Sequence, residues 1–285
     1  MKLSFSTLAC PGYGFGDICA MASDLGFDGI EVRGLGNDLS DGRNVTPFSP
    51  DNIMYTAKKL SALGLAVSCF SSGACLAYND RAAENAVLIR EYIAAGRIGC
   101  GFVRVLGDDV INPGNDVDDE EVLAQLKALI PAAEEAGVTL LVETNGVYSD
   151  TARLKALLDR AESDAVKALW DVHHPYRFCA ESPEKTVQNL GMYIAYVHIK
   201  DSVCEDGTVQ YRLMGEGDMP VADIIGALES INYEGYLSLE WVKQWAPDLQ
   251  DAGIVFPHYV NYMSAFLGGR TAADTLIPDL RGAGR

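Results

Sequence analysis

Four apolar runs in the second half of the chain each end on a side chain able to hold a metal. Glu143 follows VTLLV, Asp171 follows VKALW, His198 follows AYV and Glu240 follows YLSL. Three carboxylates and one imidazole suit Mn²⁺, Co²⁺, Mg²⁺ or Zn²⁺ better than softer metals. Brought together, the carboxylates would repel one another unless a cation neutralised them, so the pattern reads as a single divalent-ion site. One acidic residue at a strand end has an ordinary explanation, as a helix cap or the partner of a nearby Lys or Arg. Four in consecutive units argue for a shared mouth.

That mouth requires a particular set of elements. The four residues recur at intervals of 28, 27 and 42 residues, the room needed by one helix and a return strand. Parallel strands joined by helices point the same way, so residues at their carboxyl ends converge on one face. Strand-like runs lie at 2–6, 28–33, 65–70, 101–106, 138–143, 166–171, 194–199 and 235–240. Helical apolar spacing falls between them, most clearly after Asp80 (Ala82, Ala86, Ile89, Tyr92, Ile93) and after Asp119 (Val122, Leu123, Leu126, Leu129, Ile130). Gly137 is placed to end the second of these helices, and Pro131 should kink or split it. Ser149 begins a stretch with a cap, and Asp218 is positioned to cap a helix with Pro220 in its first turn. Eight alternations predict an α/β fold, a single-domain (β/α)₈ TIM barrel over residues 1–268, with residues 269–285 as a Gly- and Arg-rich tail. A doubly wound sheet usually carries GxGxxG after its first strand, and Cys10–Gly16 does not match it.

Composition narrows the partners. The 285 residues are 48% hydrophobic, ample for a large core, and carry a formal net charge of −18. With no basic cluster longer than Lys58–Lys59, neither nucleic acid nor an anionic membrane surface is expected as a partner. Seven cysteines without a CxxC read as reduced thiols of a cytoplasmic protein. The N-terminus enters a strand at once and resembles no signal peptide, and no apolar run is long enough to span a bilayer. Cys69 has no base near it in sequence, so a nucleophilic role is not expected.

Further residues would surround the ion. His174, three residues beyond Asp171, would overhang the mouth, either to hold a substrate oxygen or to orient a ligand carboxylate. Lys200 emerges on the same side of its strand as His198, to meet a substrate anion or to balance the ligand carboxylates. Arg212 and the glycines of MGEGDMP offer a phosphate site or an ordinary loop before a helix. On the first half of the barrel Glu31, Arg33 and Arg104 would line the opposite wall with Ser71 and Ser72 and grip hydroxyls, although Glu31 and Arg33 could instead form a buried ion pair. His173 has no clear role, and His258 reads as a packing or surface residue.

LVETNG, WDVHH, VHIKD, MGEGDMP, LSLEW and DGIEVRG together resemble the xylose-isomerase-like barrel superfamily, in particular its sugar phosphate isomerase/epimerase branch. The resemblance spans residues 2 to 267. It implies that Glu143, Asp171, His198 and Glu240 bind one divalent ion, Mn²⁺ first, and that His174 contacts substrate. In the ketose 3-epimerases the glutamates matching Glu143 and Glu240 also exchange the substrate proton from opposite faces, through an enediolate that the metal stabilises. Dimers and tetramers are frequent among similar barrels, so a homo-oligomer is implied too. KDSVCEDGTVQYRL departs from the epimerases in length and in offering Lys200 or Arg212 where they have an arginine. The expected activity is therefore a metal-dependent isomerase or epimerase of a small sugar, keto-sugar or related polyol. A lyase or dehydratase acting through the same enolate on a keto-sugar, keto-inositol or keto-glycoside is the alternative. A non-catalytic sugar-binding protein and an endonuclease IV-like phosphodiesterase stand behind these; the latter needs more than the four histidines present.

Overall fold

The computed structural model describes residues 1–35, 46–97 and 99–268; the proposed tail at 269–285 lies outside them. Eight parallel strands close a barrel: β1 (Lys2–Ser6), β2 (Gly29–Val32), β3 (Ala66–Cys75), β4 (Phe102–Leu106), β5 (Thr139–Glu143), β6 (Val166–Asp171), β7 (Ile194–Ile199) and β10 (Tyr236–Leu239). Their order around the barrel is β1-β10-β7-β6-β5-β4-β3-β2. The remaining pair, β8 (Asp201–Glu205) and β9 (Thr208–Arg212), forms an antiparallel hairpin standing on the end of β7. Asp206 and Gly207 turn it with φ of 50° and 76°, the two left-handed residues of a type I′ turn. Among the described residues, no helix is long and apolar enough to cross a membrane.

Alternation along each strand divides the interior in two. On β5, Leu140 and Val142 join the large core beneath the helices, whereas Leu141 meets Cys69, Leu169 and Tyr196 in a small plug inside the barrel. Ser4, Ser68 and Ser238 are buried in the barrel strands, and the hydroxyls of Ser4 and Ser68 reach Tyr196 Oη at 3.1 and 2.8 Å. The plug is thus partly polar. It supports a charged layer above it.

The covering helices are α1 (Phe15–Asp24), α2 (Ile53–Ala62), α3 (Ala82–Gly96), α4 (Asp119–Ala136), α5 (Thr151–Ala161), α6 (His173–Cys179), α7 (Pro183–Leu190), α8 (Val221–Ser230) and α9 (Ala252–Ser264). In α4, Asp118 accepts from Glu120 N at the start and Gly137 ends the helix at φ 67°. Pro131 does not split it: the helix runs on unbroken, and the proline and Lys127, whose carbonyl loses its amide partner, both lie on the exposed face. Asp150 rather than Ser149 caps α5, accepting from Ala152 N and Arg153 N. Asp218 does not cap α8, because its carboxylate is held by Arg177 and the helix begins after Pro220.

Candidate metal centre

Parallel register carries the four predicted ligands to one level. Asp171 pairs with His198 across β6 and β7, Glu143 ends β5, and Glu240 follows β10. In barrel order the four strands are neighbours, with Glu240 and Glu143 at the two ends of the arc. One donor atom from each residue lies within 4.8 Å of the others, and all four residues are buried. His198 Nδ1 stands 3.5 Å from Glu143 Oε1, 3.4 Å from Glu240 Oε1 and 3.9 Å from Asp171 Oδ2. A tetrahedral ion about 2.1 Å from each donor would space its donors by about 3.4 Å. The spacing fits.

Hydrogen bonds determine which atoms face that point. His198 Nε2 lies 3.0 Å from both oxygens of Glu31, so it carries the proton and donates; Nδ1 is buried without a hydrogen-bond partner. A buried ring nitrogen without a hydrogen-bond partner, beside three carboxylates, is where a histidine would meet an ion. Glu31 also accepts from Ser71 Oγ at 2.5 Å and Ser238 Oγ at 2.6 Å. Asp171 is fixed by the His173 amide on Oδ1, while Thr144 Oγ1 bridges the Asp171 backbone.

The charges are arranged against burial. Burial pushes the Glu143 carboxyl up, but Arg104, whose Nε is 3.3 Å away, and His198 together bring it down to about 2. Burial likewise opposes ionisation of Asp171, and His174, Lys200 and His198 overcome it to hold the carboxyl low. Lys200 Nζ donates to Asp171 Oδ2 and to Glu240 Oε2, the latter at 2.5 Å, and against desolvation these carboxylates hold its ammonium well above the ordinary lysine value. Burial pushes the His174 imidazole below its ordinary value, against the pull of Asp171. Nδ1 donates to the Thr144 carbonyl at 3.0 Å, and Nε2 stands 3.6 Å from Asp171 Oδ2 at the cavity wall.

A cavity of about 510 Å³ opens above the centre and is lined by Arg33, Arg104, Glu143, His174, Lys200 and Glu240 among others. Two expected members are elsewhere. Glu31 does not line the cavity to grip hydroxyls; it is 1% exposed and its carboxylate is engaged by His198, Ser71 and Ser238, so it positions a ligand histidine. Arg212 is not at the cavity either. Antiparallel pairing in β9 turns its guanidinium to Gln210 Oε1 and the Tyr211 carbonyl.

The phosphate reading of MGEGDMP also fails. The amides of Gly215, Gly217 and Met219 are taken by the carboxylate of Asp201, a resident anion. His173 bonds Ser202 Oγ at 2.9 Å, and His258 meets the Met214 carbonyl at 2.8 Å, so both are structural. Ser72 donates to the Arg104 carbonyl. Sequence reasoning missed Asn145, Tyr211 and Trp245, which line the cavity. Asn145 was within reach, two residues after Glu143 in LVETNG, whereas Tyr211 and Trp245 lie in loops without a periodic signal.

The fold and the centre together define a metal-competent barrel, and the sequence agrees: the chain belongs to the xylose isomerase-like TIM barrel family, whose pattern matches residues 19–254. No curated protein matches the chain by sequence. Among solved structures, a D-psicose 3-epimerase crystallised in the presence of D-fructose is 19% identical, covering 94% of this chain and 100% of its own, with a TM-score of 0.74. The IOLI protein with a bound zinc atom is 15% identical over 93% of this chain and 97% of its own, with a TM-score of 0.75. A probable 3-DHS dehydratase, AsbF, from Bacillus anthracis is 17% identical over 93% and 99%, with a TM-score of 0.69. At these identities the likeness carries the fold.

Proposed function

We propose that the chain is a divalent-metal-dependent isomerase or epimerase of a small sugar, keto-sugar or related polyol. The observation that carries this reading is His198 Nδ1, buried without a hydrogen-bond partner among the carboxylates of Glu143, Asp171 and Glu240. Held by these four residues, an ion such as Mn²⁺ would polarise a carbonyl and the hydroxyl beside it and so acidify the intervening carbon. Glu143 and Glu240, at opposite ends of the arc, flank a substrate seated in the cavity; one takes the α-proton and the other returns it. Arg104 keeps Glu143 ionised and thus able to accept that proton. The Lys200 ammonium faces the oxygen on which negative charge develops, and His174 Nε2 accepts from a substrate hydroxyl. A structural relative, the D-psicose 3-epimerase crystallised in the presence of D-fructose, agrees with a small ketose as the substrate class. Seven free cysteines support placing the protein in the reducing cytoplasm.

The test is solvent exchange. Protein loaded with Mn²⁺ and incubated in D₂O with a panel of ketoses should place deuterium on the carbon beside the carbonyl, and Glu143→Gln should abolish this while still binding the ion. Absence of exchange with every ketose, with the ion bound, would overturn the reading. One observation favours dehydration or lyase chemistry as the second reading: the Lys200 ammonium lines the cavity, in position to hydrogen-bond a departing oxygen. Release of water or of an aglycone would identify it.

A further inference from the structure

We infer, resting on the sugar-binding reading above, that the preferred ligand is a glycoside: its sugar lies in the charged part of the cavity and an apolar, ring-bearing aglycone lies against Trp245. The cavity is divided by polarity. Glu143, Glu240, His174, Lys200, Arg33 and Arg104 give it a charged part at the strand ends, and Leu106, Ile111, Tyr211, Val242, Trp245 and Ala246 give it an apolar part in which Asp109 and Asn145 are the polar neighbours. A free ketose has a polar group on nearly every carbon and gains little from such an apolar lining. The volume, about 510 Å³, lies in the range of about 300–1,000 Å³ that encloses drug-sized ligands, so a lone hexose would leave much of it to water.

The apolar rim is exposed and its loops are held. Trp245 is 52% exposed and Ile111 47%, while the other two tryptophans, Trp170 and Trp241, are 1% exposed. The loop after β10 that presents Trp245 is clamped by Trp241 Nε1 on the Gln250 carbonyl at 2.9 Å and by Lys243 Nζ on the Pro247 and Leu249 carbonyls at 3.0 and 2.6 Å. Asp108 fixes the loop after β4 that carries Ile111, accepting from Val110 N, Asn115 Nδ2 and Val147 N. A half-exposed indole and an exposed isoleucine on two braced loops, continuous with a deep polar site, offer a flat apolar surface to a second ring.

The distribution of tryptophans supplies the assay, because emission open to acrylamide comes from Trp245 alone. The Mg²⁺-loaded protein is titrated with phenyl β-D-glucopyranoside, methyl β-D-glucopyranoside and D-fructose, and affinities are measured in parallel by calorimetry. The phenyl glucoside should shield Trp245 and bind at least tenfold tighter than either other ligand. Trp245→Ala should erase that advantage, and Trp245→Phe should keep most of it. Equal binding of phenyl and methyl glucosides, a preference that survives Trp245→Ala, or a Trp245 already closed to acrylamide in the ligand-free protein would each overturn the inference. Failure of deuterium exchange is a separate result, since these glycosides bind without reacting: it removes the catalytic reading and does not touch the preference.

Discussion

Replacing Glu31 with glutamine tests whether the metal centre is organised from beneath. The Glu31 carboxylate is 1% exposed and receives His198 Nε2 at 3.0 Å on both oxygens, Ser71 at 2.5 Å and Ser238 at 2.6 Å. Burial alone would raise its pKa, but the charge and hydrogen bonds of His198, with the two serines, hold it below the ordinary value. Glutamine keeps the shape, loses the charge and turns one acceptor into a donor. Loss of a charge-assisted bond costs about 1.5–3 kcal/mol and one mismatched hydroxyl about 1 kcal/mol more, so unfolding stability should fall by about 3 kcal/mol in urea. His198 also loses the partner that keeps its proton on Nε2. Divalent affinity should then fall 10–100-fold, the usual cost of removing such a support. Competition with a chromogenic chelator for Co²⁺ or Zn²⁺ measures it. If Glu31→Gln bound these ions within twofold of the parent chain, Nδ1 would not be a ligand and the assignment of the centre would be wrong.

Lys200→Met strips the ammonium from Asp171 and Glu240 and leaves buried carboxylates uncompensated, so the metal-free protein should lose about 3–5 kcal/mol. Its thermal shift on adding Mn²⁺ should widen, because the ion no longer shares those oxygens; an unchanged shift would refute the competition. Asp201→Ala frees the amides of Ser202, Gly215, Gly217 and Met219, and hydrogen exchange over residues 213–219 should accelerate by at least tenfold with the barrel strands still protected. Burial pushes the thiols of Cys10, Cys75 and Cys100 from 9.0 up to about 12, so the unfolded chain releases these protons first. Stability should be insensitive to them below pH 9 and fall as the pH rises towards 12, by up to about 1.4 kcal/mol per pH unit for each thiol. Alanine at all three positions should flatten that alkaline limb in urea titrations, and an unaltered slope would assign the loss to other groups.

The barrel and the four residues gathered at its mouth were legible for one physical reason. Every barrel strand is parallel and buried, so each reads as a short apolar run, and the same geometry that makes the runs gathers whatever follows them at one end. Predicted and observed strands accordingly begin and end within a residue or so, except β3, which continues to Cys75. The hairpin was missed although Asp206-Gly207 is a hairpin signal, because the segment from Lys200 to Asp218 was read as a single loop. Glu31 was placed on the correct strand but in the wrong role. Alternation predicts which residues turn inward, not the depth at which each meets a partner, and its partner His198 lies far away along the chain. The loops are harder still. Asp108 and Asp201 shape them by capturing amides remote in sequence, and these captures leave no periodic trace. They also displace the chemistry that local motifs suggest, as when Asp201 occupies the nest of amides that MGEGDMP would otherwise offer a phosphate. The residues gathered at the mouth are thus set by the repeat of the barrel, and the loop residues that line the cavity, Tyr211 and Trp245 among them, by contacts that only three dimensions reveal.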